Sequence, residues 1–231
     1  MVNTRRKKKN MRKIPPTADL FNSKYTIAAR LIESSHYGHR AILNLGEFLK
    51  GLLPFLPKEY EQISEGVFIA KGVRMSDSAV INGPAVICEE AEIRPGAFIR
   101  GNVIVGRGAV VGNSTEVKNS IIFDEAKLPH YNYLGDSIIG YKAHMGAGVI
   151  ASNQRLDKRS VLIRASEETI DTGMKKLGAL IGDFAEIGSG SVLSPGTIIG
   201  KNSMIYPLSH VNGVINENGI FDGSGKERYR K

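Results

Sequence analysis

The sequence predicts a mainly β protein: a parallel β-helix of six-residue rungs, preceded by a short helical segment. Three observations carry this. From Ile69 onward an aliphatic residue returns every six positions, and a small or aliphatic residue stands two places before each. Glycine, asparagine or aspartate clusters after many of them, as in IVGRG, VVGNS, LIGDF and IIGKN. The 26 glycines are spread along the 231 residues rather than bunched, as many short turns of one kind require.

The aliphatic positions run Ile69, Met75, Ile81, Ile87, Ile93, Ile99, Val105, Val111, Val117 and Phe123, then resume at Ile181, Ile187, Leu193, Ile199, Ile205 and Val211. The residues two before them run from Val67 to Ile121, and again from Ala179 to Ser209. A period of six with this pairing is the signature of a hexapeptide β-helix. Each hexapeptide gives one strand and one turn, and three make a triangular coil of about 18 residues stacked at about 4.8 Å. Residues 18 apart then share a face. Two segments violate the period, 126–137 and 149–178, and read as loops, which are where function concentrates. The repeat domain is assigned to residues 61–216, followed by a C-terminal tail over 217–231.

Residues 18–60 have another rhythm. Ile27, Leu31 and Ile32, then Ile42, Leu45, Phe48, Leu49 and Leu52, fall at helical spacing. This reads as two short helices divided by Gly38 and ended by Pro54 and Pro57. His36 and His39 lie at the junction; without further ligands they read as part of a polar turn rather than a metal site.

The net charge is +8, from 31 basic and 23 acidic residues, but RRKKKNMRK holds seven of the basic ones and leaves 24 against 23 in the body. Residues 1–17 therefore read as a basic flexible tail, and nucleic acid is not the expected partner. The lone Cys88 excludes an intramolecular disulfide and fits a reducing compartment. No apolar run approaches the roughly 18 residues of a membrane span, and no apolar stretch follows the N-terminal charges as a secretory signal requires. The expectation is a cytoplasmic protein with no membrane partner.

Coil register puts Arg100 directly beneath Lys118. Two cations one strand spacing apart repel unless an anion lies between them or water screens them, and a phosphate suits such a place. Arg94 falls on an adjacent face. His130 stands at the first interruption, three residues before Tyr133. An imidazole with an ordinary pKa near 6.5 is available as a general base at neutral pH.

The stretch VGNSTEVKNSIIFDEAKLPHYNYLGDSIIGYKAHMGAG, residues 111–148, resembles the acetyltransferase domain of the bifunctional N-acetylglucosamine-1-phosphate uridylyltransferase/glucosamine-1-phosphate acetyltransferases. That family carries VGN-x-x-E-x-K, then H-x-x-Y-x-G-D, then a G-A-G turn. The later TGMKKLGALIGDFAEIGSG is similar to archaeal sugar-1-phosphate nucleotidylyltransferases that carry a C-terminal acetyltransferase β-helix. The resemblance covers roughly residues 67–211. It implies a left-handed β-helix, a homotrimer with the donor between subunits, and metal-independent transfer from acetyl-CoA to an amino-sugar phosphate such as glucosamine-1-phosphate.

Position by position, the resemblance implies His130 as the base, and Lys118, Tyr133, Asn153 and His144 at the sugar phosphate. Arg100 joins them by coil register, since the RPG motif holds Arg94. Ala147 and Ser189 match positions that contact acetyl-CoA. His144 replaces an asparagine of the family pattern, and Gln154 replaces a tyrosine. The family's nucleotidyltransferase domain, with its glycine-rich loop, has no counterpart before the repeat, so pyrophosphorylase activity is expected to be absent.

Two other readings compete. A zinc carbonic anhydrase on this fold needs three histidines converging on the metal, and His130, His144 and His210 lack a close H-x4-H pair. The serious rival is a non-catalytic trimer that binds a sugar phosphate or nucleotide sugar in a regulatory role, because function lives in the site and not in the fold.

Overall fold

Each six-residue rung becomes a strand of two to four residues in the computed structural model, which describes residues 12–223 and 227–229. Three rungs close one turn of a left-handed parallel β-helix. The first face stacks eight parallel strands from Val67–Ala70 to Val214–Ile215, capped by the antiparallel strand Tyr60–Ser64. The second runs from Arg74–Met75 to Gly219–Phe221, capped by antiparallel Glu227–Tyr229. The third runs from Val80–Ile81 to His210–Val211. The repeat thus continues past residue 216 into the segment expected to be a tail.

The inward column holds Ile87, Ile99, Val117, Leu134, Ala151 and Leu193 among others, all fully buried. It departs from the six-residue count at Phe123. After Val117 the next inward residue is Ile122, and Phe123 turns into a second apolar cluster. Val103 pairs with Ser120 and Val105 with Ile122, so this coil is one residue shorter than those before it. The pairs Ile122–Ile139 and Leu134–Ala151 repeat that 17-residue spacing.

The shortening falls at the corner between the third and first faces, where Asn119 and Asp136 turn the chain at φ of 46° and 49°. Asparagine and aspartate are among the few L-residues that enter this left-handed region readily. Counted from the short corner, the rungs are back in step. The loop expected at 126–137 is therefore absent: Lys127–His130 and Tyr133–Gly135 are strands paired on both sides.

The first face is apolar on its outside too. The middle residues of its strands, Val86, Ile104, Ile121, Ile138, Leu180, Ile198 and Val214, are each at most 1% exposed. They pack under three helices, α1 (Thr17–Leu20), α2 (Ala29–Ser34) and α3 (Gly38–Leu52). The helix α3 buries Ala41, Ile42, Leu45 and Leu49, one amphipathic stripe. At Gly38 a Cβ would come within 2.9 Å of Leu180, so glycine lets α3 start tight against the sheet. Uncovering seven such side chains would cost on the order of 10–20 kcal/mol. That matches or exceeds the total stability of a typical domain, so the helical segment is part of the fold and no appendage.

The second interruption is a real excursion, running from 152 to 178 between strands Ile150–Ala151 and Ala179–Ile181. It holds an antiparallel hairpin, Leu162–Arg164 with Thr169–Asp171, and buries Val161, Ile163 and Leu177 beside the helices. The N-terminal segment docks on it. The Arg12 N–H donates to Ser166 Oγ at 3.0 Å, the Ser166 N–H to the Arg12 carbonyl at 3.1 Å, and the Ile14 N–H to the Glu168 carboxylate. Residues 12–17 are therefore held in place rather than flexible; the rest of the basic tail lies outside the described residues. Among the described residues no helix is long and apolar enough to cross a membrane.

His39 is 2% exposed, its Nδ1 has no hydrogen-bond partner, and its ring stacks near Tyr37. Burial first, and Arg40 second, hold its pKa below the usual 6.5. The unfolded chain then binds a proton that the folded chain refuses, so stability falls as pH drops below about 6.5, at up to about 1.4 kcal/mol per pH unit. Replacing His39 by Leu should flatten this limb of a urea-denaturation pH series; an unchanged slope would show that His39 does not cause it.

Candidate functional site

The third face gathers the polar residues. Its outward positions before the buried aliphatics stack as Val80, Phe98, Glu116, Tyr133, Ile150, Val192 and His210. Beside them, Arg100 lies beneath Lys118 and Lys118 beneath Gly135, and Asn153 follows at the start of the excursion. Arg100, Lys118, Tyr133 and Asn153 are thus brought together. Asn153 Nδ2 donates to Tyr133 Oη at 3.1 Å and to Asp136 Oδ2 at 2.5 Å.

The two cations do not wait for an external anion. Arg100 Nη1 donates to Glu116 Oε1 at 2.7 Å, and Lys118 Nζ lies 3.8 Å from Asp136 Oδ2. The hydrogen bond from Arg100 and its charge are matched by Glu116, which raises the guanidinium pKa further. The repulsion that pointed to a phosphate is therefore offset within the protein, and the stacked cations alone do not require a bound anion. Arg94 sits on the second-face side, paired with Glu92 at 2.7 Å.

Sequence reasoning missed both carboxylates as partners, although Glu116 and Asp136 stand in the quoted motifs. It also passed over Lys175 and Lys176, exposed cations just before Leu177, whose N–H donates to the Asn153 carbonyl at 2.9 Å. Their signal was the KK pair in TGMKKLGA.

His130 ends its second-face strand and is exposed. Its carbonyl accepts the Gly148 N–H at 3.0 Å, and the Ala147 carbonyl accepts the Gly190 N–H at 2.8 Å. His130, Ala147 and Ser189 therefore stack in one corner column between the second and third faces, roughly 10 Å from end to end at strand spacing. Buried Asn132 pins this corner: its Oδ1 accepts the His130 N–H at 3.2 Å and its Nδ2 donates to the Gly146 carbonyl at 2.7 Å. Tyr131 takes φ of 51° where neighbouring coils use Gly96, Ser114, Gly148 and Gly190, and it is 65% exposed.

His144 is not with the others. It lies on the second face above Lys127 and below Glu186, and its Nδ1 is 3.0 Å from Glu186 Oε2. His210 is on the third face, with Nε2 2.8 Å from Ser194 Oγ. Among the described residues no three His, Cys, Asp or Glu side chains converge as metal ligands.

The site is an open face. A cleft of about 640 Å³ between α2 and α3, lined by Ile27, Phe48, Leu52 and Phe55, holds none of these residues.

The model of the GMPPB C-terminal domain family matches residues 81–169, a span that includes Arg100, Lys118, His130, Tyr133 and Asn153. The chain is 38% identical over 96 residues to a bifunctional sugar-1-phosphate nucleotidylyltransferase/acetyltransferase of Sulfurisphaera tokodaii, covering 42% of this chain and 24% of that protein. It is 40% identical over 89 residues to the bifunctional protein GlmU of Methanococcus maripaludis, covering 38% and 21%. It is 38% identical over 91 residues to the uncharacterized acetyltransferase YaiX of Escherichia coli, covering 39% and 40%. The matches thus span about a quarter or less of the two bifunctional relatives. The resemblance to acetyltransferase-bearing sugar-1-phosphate enzymes read from the motifs is borne out.

Among solved structures, a hexapeptide transferase family protein from Anaplasma phagocytophilum shares 14% identity at a TM-score of 0.42, over 64% of this chain and 72% of that one. The acetyltransferase domain of PglB from Neisseria gonorrhoeae, in complex with acetyl coenzyme A, shares 16% at 0.34, over 67% and 53%. These likenesses are weak, and the fold stands on its own strand pairing.

Gly135 has no side chain because Tyr133 and Asn153 fill that space: a Cβ there would lie 2.6 Å from both Tyr133 Oη and Asn153 Nδ2. Its backbone is not in the left-handed region, so Gly135→Ala should fold yet push both side chains off the face. The expected result is loss of ligand-dependent stabilisation with the unliganded melting temperature within a few degrees of wild type. Wild-type stabilisation by ligand in the variant would contradict this geometry.

Proposed function

We propose that this chain is an acetyl-CoA-dependent N-acetyltransferase whose acceptor is an amino-sugar phosphate of the glucosamine-1-phosphate kind. The observation that carries the reading is that two groups of residues belong to one face and its bordering corner. Arg100, Lys118, Tyr133 and Asn153 share the third face, and the His130–Ala147–Ser189 column borders it.

In this mechanism the N–H groups of Arg100 and Lys118 hold the phosphate, with exposed Lys175 and Lys176 adding positive potential beside Asn153. Fixing the amine against the thioester removes much of the entropic part of the barrier. The amine nitrogen attacks the thioester carbonyl while His130 takes its proton. The C–N bond forms, the C–S bond breaks, and the proton passes to the departing thiolate, giving the N-acetyl sugar and CoA. The Ala147 N–H has no acceptor among the described residues and is placed to bond the oxyanion, an interaction worth a few kcal/mol when well aimed.

The acyl donor lies against the corner column and is completed by a second copy, so the working unit is a homotrimer in the cytoplasm. Exposed Tyr131 and Leu208 on that corner, with Phe98, Ile150 and Val192 on the third face, supply apolar surface for the contact. No nucleotidyl transfer is assigned to the described residues, which form short helices and one capping strand before the first rungs and hold no glycine-rich loop there. The rival reading, a trimer that binds without transfer, draws on His144, which faces Glu186 away from the other ligands.

Thiol release from acetyl-CoA should depend on glucosamine-1-phosphate or galactosamine-1-phosphate and fall about 10²–10⁴-fold in His130→Ala. Light scattering on the same samples should give three times the 25.1 kDa chain mass. Donor binding without turnover in the wild type would favour the rival, and a monomer would undo the shared donor site.

A further inference from the structure

Asp136 has no role in this reaction, yet it is buried and its carboxylate is fully engaged. Its Oδ1 accepts Asn119 Nδ2 at 2.8 Å, and its Oδ2 accepts Asn153 Nδ2 at 2.5 Å with Lys118 Nζ at 3.8 Å. A carboxylate can only accept, so the Asn153 atom that meets it is the NH₂ group. That same NH₂ donates to Tyr133 Oη at 3.1 Å. Both amide protons of Asn153 are then used, and its Oδ1 has no partner among the described residues. Tyr133 in turn spends an oxygen lone pair on Asn153 and keeps its O–H. Burial first, then the Asp136 and Glu116 charges, raise the phenol pKa, so the proton stays on at neutral pH.

We propose that Asp136 is a positioning residue that sets the hydrogen-bond polarity of the acceptor site. It makes Asn153 an outward-facing acceptor and Tyr133 an outward-facing donor. A ligand must then offer a donor, an ammonium or a hydroxyl, to Asn153, and an acceptor, a phosphate or ring oxygen, to Tyr133. An amino-sugar phosphate carries both kinds of group. The inference rests on the reading of this face as the acceptor site, but the orientation itself follows from the contacts alone.

The main chain of Asp136 does separate work. Its N–H donates to the Lys118 carbonyl at 2.9 Å and its carbonyl accepts the Gly178 N–H at 2.9 Å. Neither contact needs the carboxylate. Asparagine also tolerates the left-handed corner, so Asp136→Asn keeps the turn while it removes the fixed polarity and the charge facing Lys118.

The test is a cycle of Asp136→Asn, Asn153→Asp and the double exchange. Solvent exchange of the Asn153 side-chain amide protons is read by NMR, assigned by their loss in Asn153→Asp. Steady-state kinetics use glucosamine-1-phosphate and acetyl-CoA. In Asp136→Asn the amide exchange should quicken at least about tenfold and the acceptor KM should rise about tenfold, as loss of a charged hydrogen bond predicts. The acetyl-CoA KM should stay put, and the melting temperature should fall by no more than the loss of one buried charged hydrogen bond implies. The Asn153→Asp variant sets two carboxylates face to face and should raise the acceptor KM as well. The double exchange restores one donor facing one carboxylate and should recover part of the loss, a coupling that two independent structural roles cannot give.

Unchanged amide exchange in Asp136→Asn overturns the inference, and so does faster exchange with an unchanged acceptor KM. A double variant no better than the worse single variant also overturns it, and remains decisive if one single variant folds poorly. Should the wild type acetylate no amino-sugar phosphate, the functional reading falls. The inference is then judged by amide exchange alone, with a tenfold change sustaining it and no change overturning it.

Discussion

The column of aliphatic side chains inside the prism is the constraint on which everything else depends. Each rung must return an apolar residue to that column, because a gap would leave a void between stacked coils and forfeit contacts above and below it. The chain satisfies this with coils of more than one length. Where it drops a residue, after Val117 and again after Leu134, it does so at one corner, with Asn119 and Asp136 in the left-handed region. The shortened corner keeps the column intact. It also brings Asp136 beside Lys118 and Asn153. One local economy of backbone thus shapes both the core and the polar face.

The three faces are unequal for a physical reason. The first is apolar on both sides and carries the helices and the excursion hairpin over its outer surface. That cover leaves the second and third faces to solvent, and the third holds paired charges with uncovered apolar residues above and below them. Arg100 with Glu116, and Lys118 with Asp136, make a face of nearly balanced charge. A ligand bearing both an anionic and a cationic group meets complementary partners there, whereas a simple anion must compete with carboxylates already in place.

Much of this was legible in the sequence, because burial in a solenoid writes a strict period. The strands from Val67 to Val117 and from Ala179 to Val211 sit where the count of six puts them. Arg100 stacks beneath Lys118 as the register requires. What periodicity could not show was a one-residue deletion: Ile121, Ile122 and Phe123 are all apolar, so a slip among them left no mark. The outward stripe of the first face was present in runs such as AVI, VIV and ALI, where the middle residue is apolar as well. A run of three marks a strand buried on both sides. The carboxylate partners were hidden for a different reason. Glu116 and Asp136 reach their cations across coils, at separations of 16 and 18 residues, and which pairs close depends on side-chain rotamers that no pattern records.

The central claim is that the third face and its bordering corner column together carry both halves of a transfer site. Hydrogen–deuterium exchange with each ligand tests it directly. Glucosamine-1-phosphate should slow exchange over 98–100, 116–118, 133–136 and 153–155, and CoA should slow it over 130–131, 146–148 and 188–190. Together they should protect both sets more than either alone. Protection confined to the helical segment, or none on the third face with either ligand, would contradict the account.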